Sequence, residues 1–373
     1  MIYLDNAATT PVRKEVLEGY QELLKTQFAN PASLHRLGQE SARLLDKARE
    51  QIASFFHAKK EEVIFTSGAT EANNLAIKGY AFRYQNRGKH LITTKVEHPS
   101  VLRAFEQLEN FGFTCTYLPV DQDGKVRLID LQNAMTKDTI LVSIMAVNNE
   151  VGSINDVRAI ADIVHQYPKA AFHSDTTQAI GKINLPYESI DMFVCSGHKL
   201  EGLKGSGLLI KRKKIDLLPL ASGGGQEFGL RSGTNDFPKE VILAKTIRLA
   251  LEEQKTREAK VRILHDHAWT CLSSLEGIQI NSSADGSPYI LNISFLEKKA
   301  SVIVEALSRA GIMVSTISAC SSKKTAHSVV LEAMGKTKQI YQNSLRMSFS
   351  AENTLEEIDQ TIQEITRIMR EIR

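Results

Sequence analysis

Short apolar, often β-branched runs recur along the first 255 or so residues, each followed by a stretch with helical spacing, and this alternation constrains the fold more than any other feature. The runs include "EVIFTS" (62–67), "HLITTKVEH" (90–98), "TILVSIMAV" (139–147), "AAFHSD" (170–175), "MFVCS" (192–196) and "GLLIKR" (207–212). Between them, "TEANNLAIKGYAFRY" and "VRAIADIVHQY" repeat apolar residues at three and four. Strand, helix, strand in series predicts an α/β fold with a mostly parallel sheet covered by helices. The pattern fades near residue 255, where one long charged helix is expected from about Asp236 to Leu275. At the end of the chain Leu355, Ile358, Ile362, Ile365, Met369 and Ile372 make one apolar stripe, and Thr354 with Glu357 predicts a capping box.

A chain of 373 residues is long for one core, since domains run to roughly 150 residues. The expected division is a large domain over 14–256 and a smaller α+β domain over 257–373, joined by residues 1–13. With 46 basic against 43 acidic residues, the balance argues for neither a nucleic-acid nor a membrane surface. "MIYLDNAATTP" has neither the basic start nor the apolar core of a signal peptide, and no apolar run approaches the ~20 residues of a membrane span. Cys115, Cys195, Cys271 and Cys320 are widely spaced, which reads as free thiols in a reducing cytoplasm.

In a parallel sheet, ligands bind beyond the carboxyl ends of the strands. After "EVIF", the turn Ser67, Gly68, Ala69, Thr70 opens directly into a helix, where free N–H groups and the helix dipole favour a phosphate. On its own, that turn reads as an ordinary N-cap. Neither G-x-G-x-x-G nor a P-loop is present: "GKT" at 335–337 has Val330 where a glycine is required. Zinc-type spacing is absent too, so no metal is expected. His98, Asp175 with Gln178, and Lys199 follow successive apolar runs. Separately they read as a turn residue, a helix cap and a surface lysine. Together they suit a ligand with a flat ring, a pyridine nitrogen and an aldehyde, which is pyridoxal 5′-phosphate.

The ordered series "IYLDNAATTP", "NPASLH", "TSGATEANN", "VNNEVG", "HSDTTQAIGK", "SGHK", "RSGT", "SACSS" and "LRMSFS" resembles the cysteine desulfurases, pyridoxal-phosphate enzymes of fold type I. The resemblance covers nearly the whole chain and implies a large domain with a mostly parallel seven-stranded sheet. It implies Lys199 as the Schiff-base lysine, His98 stacked on the cofactor ring, Asp175 on its nitrogen and Gln178 on its phenolic oxygen. Phosphate contacts are implied for Ala69, Thr70, Ser196 and His198, and for Thr234 reaching across from a second copy in a homodimer. Arg346 is implied to bind the substrate carboxylate with help from Asn148. Cys320, in a polar, hydroxyl-rich stretch followed by Lys323 and Lys324, matches the position that receives the sulfur of L-cysteine as a persulfide; the other three cysteines read as structural.

The loop spacing resembles the group I branch, and "SACSSKK" resembles members that supply tRNA thiolation, with iron–sulfur and thiamine pathways as the other destinations. The implied partner is a sulfur-acceptor protein, without direct nucleic-acid contact. Thr176, Ile317 and the lysine pair at 323 and 324 depart from the family pattern and bear on rate and acceptor choice. A selenocysteine lyase or an aminotransferase would also use Lys199, and a non-catalytic chain that kept the fold would lack cofactor absorption.

Overall fold

The computed structural model describes residues 1–316 and 327–371. Its main sheet has seven strands, in the order Val63–Thr66, Gly207–Lys211, Met192–Ser196, Ala171–Asp175, Thr139–Ser143, His90–Thr94 and Thr114–Leu118. Gly207–Lys211 runs antiparallel to both neighbours, and the other pairs in the sheet are parallel. The central strands are buried along their whole length, which is why their sequences read as continuous apolar runs. Thr114–Leu118, at the edge, is half exposed and mixes threonine with apolar residues.

Because side chains alternate across a strand, each strand contributes to two cores. Ile92, Val142, Phe172 and Phe193 pack on one face with Ile52, Ile160 and Leu243. Their chain neighbours Leu91, Leu141, Ala171 and Val194 pack on the other face with Ala76, Phe105 and Leu108. A further core joins Ile2 and Leu4 to Val261, Leu291, Ile293, Phe349 and Ile365. It is built on a four-stranded antiparallel sheet, Ser315–Thr316, Ser344–Ser348, Ile290–Phe295 and Ile278–Ile280, while Ile2–Tyr3 pairs in parallel with Ile312–Met313.

Two expectations change in detail. The single helix expected over 236–275 is two, Phe237–Glu252 and Gln254–Ser273, broken at Glu253. The last helix, Leu355–Glu371, starts with the expected reciprocal Thr354–Glu357 bonds. Its buried face centres on Ile358, Ile365 and Ile368, while Leu355 is exposed and Ile372 lies outside the described residues. Among the described residues no helix is long and apolar enough to cross a membrane.

A buried ion pair fixes the segment that leads to Thr234. Arg49 gives two parallel bonds of 2.8 Å to Glu227 and one of 2.6 Å to the Val63 carbonyl, and Glu227 also accepts from Phe65 N at 2.8 Å. Both side chains are at most 5% exposed. Removing one partner strands the other charge in the core. Arg49→Ala is therefore expected to cost about 3–5 kcal/mol, read as a lowered urea midpoint; a loss below ~1 kcal/mol would mean that water reaches Glu227.

Candidate functional site

The parallel strands deliver their last residues to one rim. Asp175 ends the strand Ala171–Asp175, Ser196 ends Met192–Ser196 just before the short turn Gly197–Lys199, and His98 caps the helix Pro99–Glu109. Asp175 is buried and held by two neutral donors: Asn73 Nδ2 reaches Oδ2 at 2.8 Å, and Thr177 N reaches Oδ1 at 3.0 Å. The Asn73 amide also donates to Ser100 Oγ at 2.9 Å, which lies 2.8 Å from His98 Nδ1. Ser100 N donates to the same Nδ1 at 3.1 Å, so that nitrogen is an acceptor and the ring proton sits on Nε2.

The titratable groups around Asp175 are pushed toward their neutral forms. His98 is exposed, yet desolvation by its surroundings lowers its pKa, with Asp175 pulling it up and Lys199 pushing it down. His173, beneath Asp175 on the same strand, is pushed down to about 4 by burial. Glu97 is pushed up to about 8, again by burial, although its Oε1 accepts from Met145 N and Thr94 Oγ1. Cys195 and Cys115 are both pushed up to about 12, chiefly by burial, and are inert thiols at neutral pH.

A phosphate cradle lies at the start of the helix Ala69–Tyr84. Its N-cap is Gly68, at φ +150°, which offers no side-chain oxygen to the first turn. The N–H groups of Ala69 and Thr70 therefore await an outside acceptor. The turn packs tightly: a Cβ on Gly207 would lie 2.5 Å from Gly68 Cα, and a Cβ on Gly68 would meet Ser196 Oγ at 3.6 Å. An uncapped helix start, a buried carboxylate and a lysine on one rim fit pyridoxal phosphate, whose phosphate, ring nitrogen and aldehyde need those three partners.

The N-terminal segment that carries "IYLDNAATTP", assigned no site residue from the sequence, closes this site. Lys199 Nζ donates to the Ala7 and Ala8 carbonyls, both at 2.6 Å, and Gln178 Nε2 donates to the Ala7 carbonyl at 3.1 Å. Thr10 Oγ1 donates to the His198 carbonyl at 2.9 Å, and Thr9 Oγ1 lies 3.1 Å from His198 Nδ1. Lys182, also passed over in the sequence, is buried, donates to Gln178 Oε1 at 2.7 Å, and is pushed down to about 7 by burial and then by Lys199. A lysine seven residues after a strand end has no spacing that would have betrayed it.

Other expected residues fall in different surroundings. Arg346 lies on the strand Ser344–Ser348 and donates to the Asn149 carbonyl at 2.8 Å and to Asp5 at 2.9 Å. Asn148, expected to help bind substrate, organises its own turn: Oδ1 accepts from Glu150 N and Val151 N, and Nδ2 donates to the Val96 carbonyl. Two neighbouring backbone amides and one distant carbonyl needed partners there, and a buried asparagine supplies them. Thr234 is exposed and lines a cleft with Ser67, Ser206, Gly207 and Arg231. Thr176 donates to the Val194 carbonyl at 2.7 Å, so its hydroxyl is held away from crowding a ligand. Cys320, Ile317, Lys323 and Lys324 lie outside the described residues.

The aminotransferase class-V family model matches residues 2–361. A NifS/IcsS protein homolog of Lactobacillus delbrueckii subsp. bulgaricus is 42% identical over 97% of this chain and 95% of the relative. Cysteine desulfurase IscS of Dictyoglomus turgidum is 39% identical over 100% of this chain and 95% of its own length. Among solved structures, a NifS-like protein superposes over 100% of both chains with a TM-score of 0.94 at 36% identity. SspA in complex with cysteine matches 95% of this chain and 100% of its own, with a TM-score of 0.83 at 33% identity.

Two outcomes follow from this geometry. Gly207→Ala forces the Gly68 turn to move, so cofactor affinity is expected to fall at least about tenfold, read by equilibrium dialysis; unchanged affinity would separate the turn from phosphate binding. His198 is pushed down to about 4 by burial and then by Lys199, Lys204 and Lys182. The unfolded chain, titrating near ~6.5, then binds the proton first as pH falls, so this residue's effect lowers stability between those two values. Imidazole NMR should show His198 neutral at pH 5.5, and His198→Asn should flatten the acid limb of the stability curve.

Proposed function

The chain belongs to the aminotransferase class-V family, and we propose that it is a pyridoxal-phosphate-dependent cysteine desulfurase, converting L-cysteine to L-alanine and passing the sulfur to an acceptor protein. The observation that carries this reading is the convergence of Lys199, His98 and buried Asp175 on one rim beside the uncapped helix start at Ala69. The cofactor, when bound, supplies an aldehyde that takes an amine and a pyridine ring that draws electrons from the attached amino acid.

The chain supplies the rest. Ala69 and Thr70 N–H groups, with Ser196 and His198, would hold the phosphate; Asp175 would keep a proton on the ring nitrogen; neutral His98 would cover a ring face, and Gln178 would approach the ring oxygen. Lys199 is the anchoring amine and the base. Its Nζ is held against the Ala7 and Ala8 carbonyls, which fixes where that amine stands on the rim. Arg346 holds the substrate carboxylate.

Cys320 attacks the substrate sulfur as a thiolate. The S–S bond forms, the C–S bond breaks with its electron pair remaining on carbon, and that carbon takes a proton. L-alanine and a persulfide on Cys320 result. The reading extends to a homodimer in which Thr234 completes the partner's phosphate site, to domains over 14–256 and over 257–373 with 1–13, and to a cytoplasmic location. A tRNA-thiolation enzyme or an iron–sulfur scaffold is the proposed acceptor.

The direct test incubates cofactor-loaded protein with L-cysteine and a reductant and quantifies L-alanine and sulfide. Equal amounts are expected; a keto acid in place of alanine would mark an aminotransferase. Cys320→Ser should retain the cofactor absorption and lose more than about 99% of the persulfide, whereas persistent persulfide would assign the sulfur to another thiol. Lys199→Ala should lose the absorption band of the lysine-bound cofactor.

A further inference from the structure

Arg346 is matched in the resting fold by a carboxylate of the chain itself. Its side chain is 6% exposed, and Nη2 donates to Asp5 Oδ1 at 2.9 Å while Nη1 donates to the Asn149 carbonyl at 2.8 Å. Nε, on the same edge of the guanidinium as Nη2, is buried and makes no hydrogen bond. A carboxylate matched to that edge would engage both nitrogens. A buried donor left over in this way points to a ligand that completes the edge. Among the described residues, Asp5 is the carboxylate that ion-pairs with Arg346.

The Asp5 backbone is fixed without its side chain. Its carbonyl accepts from Ala8 N at 3.0 Å and Tyr3 Oη at 3.3 Å, and the residue bridges to Ser348. The carboxylate is 21% exposed, more open than the arginine it faces. Changing it to an amide therefore removes a charge and leaves the local chain in place.

We propose that Asp5 is a built-in counter-ion that weakens the grip of Arg346 on the substrate and product carboxylates. This rests on the reading of Arg346 as the carboxylate-binding residue. Without Asp5, a buried guanidinium would hold any small carboxylate tightly, L-alanine included. With Asp5 in place, an arriving carboxylate gains the Nε bond but meets a second negative charge on the same cation, and that repulsion favours release. Asp5 acts through Arg346 and is a positioning residue.

The test measures L-alanine binding to the cofactor-loaded protein by isothermal titration calorimetry, with acetate as a second probe, in wild type, Asp5→Asn, Asp5→Ser and Arg346→Gln. Asp5→Asn and Asp5→Ser are expected to tighten L-alanine binding at least about tenfold, and to lower KM for L-cysteine together with kcat as product release slows. Arg346→Gln should weaken binding by at least about tenfold, and adding Asp5→Asn to it should restore nothing. If Arg346→Gln leaves L-alanine affinity unchanged, the carboxylate reading of Arg346 is wrong. If Arg346→Gln weakens binding while both Asp5 variants leave it unchanged or weaker, the counter-ion role is overturned and Asp5 is a structural partner only.

Discussion

The site depends on a carboxylate that the fold keeps out of water. Asp175 sits at the end of a central strand, where burial penalises a charge unless donors surround it. Asn73 and the Thr177 amide provide them, and Asn73 can do so because its helix starts at the phosphate turn and points its second turn at the strand end. Asp175 in turn shapes its neighbours: its charge raises the pKa of His98, His173, Glu97 and Cys195. Burial still dominates, so the histidines and Glu97 stay neutral near pH 7 and do not compete with Asp175 for a cationic partner. A ring nitrogen that must hold a proton would find one anionic acceptor and few rivals.

Much of this was legible because a parallel sheet converts sequence order into spatial convergence. Several apolar runs end in a polar residue, and parallel pairing brings the ends of the parallel strands to one rim, so His98, Asp175 and Lys199 announce themselves by position. Gly68 was legible too, as a glycine between a strand and a helix. What escaped the sequence is carried by backbone or by distant pairing. The carbonyls of Ala7 and Ala8 have no identity of their own, and they meet Lys199 across 192 and 191 positions of chain. Asp5 and Arg346 are 341 apart. Glu253 interrupts a helix with neither proline nor glycine to mark the break, and the partners of Asn148 depend on a turn whose geometry its residue type does not specify.

The N-terminal segment explains why those distant contacts matter. Ile2 and Leu4 are buried in the core built by the C-terminal third of the chain, yet within six residues the same strand of chain reaches Thr10, bonded to the His198 carbonyl. Arg13 then pairs with Glu201 and Glu253, and Arg257 with Glu201 and Glu352. Exposed pairs of this kind contribute little singly, but Arg257 and Glu201 are only 14% and 16% exposed and share partners, which makes the set more than a sum of surface contacts. The segment thereby ties the arginine on the small sheet to the lysine that follows a strand of the large one, so that the proposed substrate-carboxylate and cofactor-aldehyde sites are referred to a single piece of backbone.

The thiols complete the division of labour. A sulfur nucleophile at neutral pH must be a thiolate, and burial holds Cys115 and Cys195 as thiols up to about pH 12. Cys195 is the nearer in sequence to Lys199, but it lies inside a fully buried strand, and Asp175 raises its pKa further. Burial, and then the carboxylate that would serve the cofactor, keeps the cysteine beside it a thiol. Cys271 sits within the helix Gln254–Ser273, far along the chain from every residue of the rim, 4.0 Å from His267. A persulfide chemistry in this fold accordingly needs a cysteine brought from outside the buried sheet, and Cys320, flanked by hydroxyls and followed by two lysines, is the one whose sequence surroundings favour the thiolate.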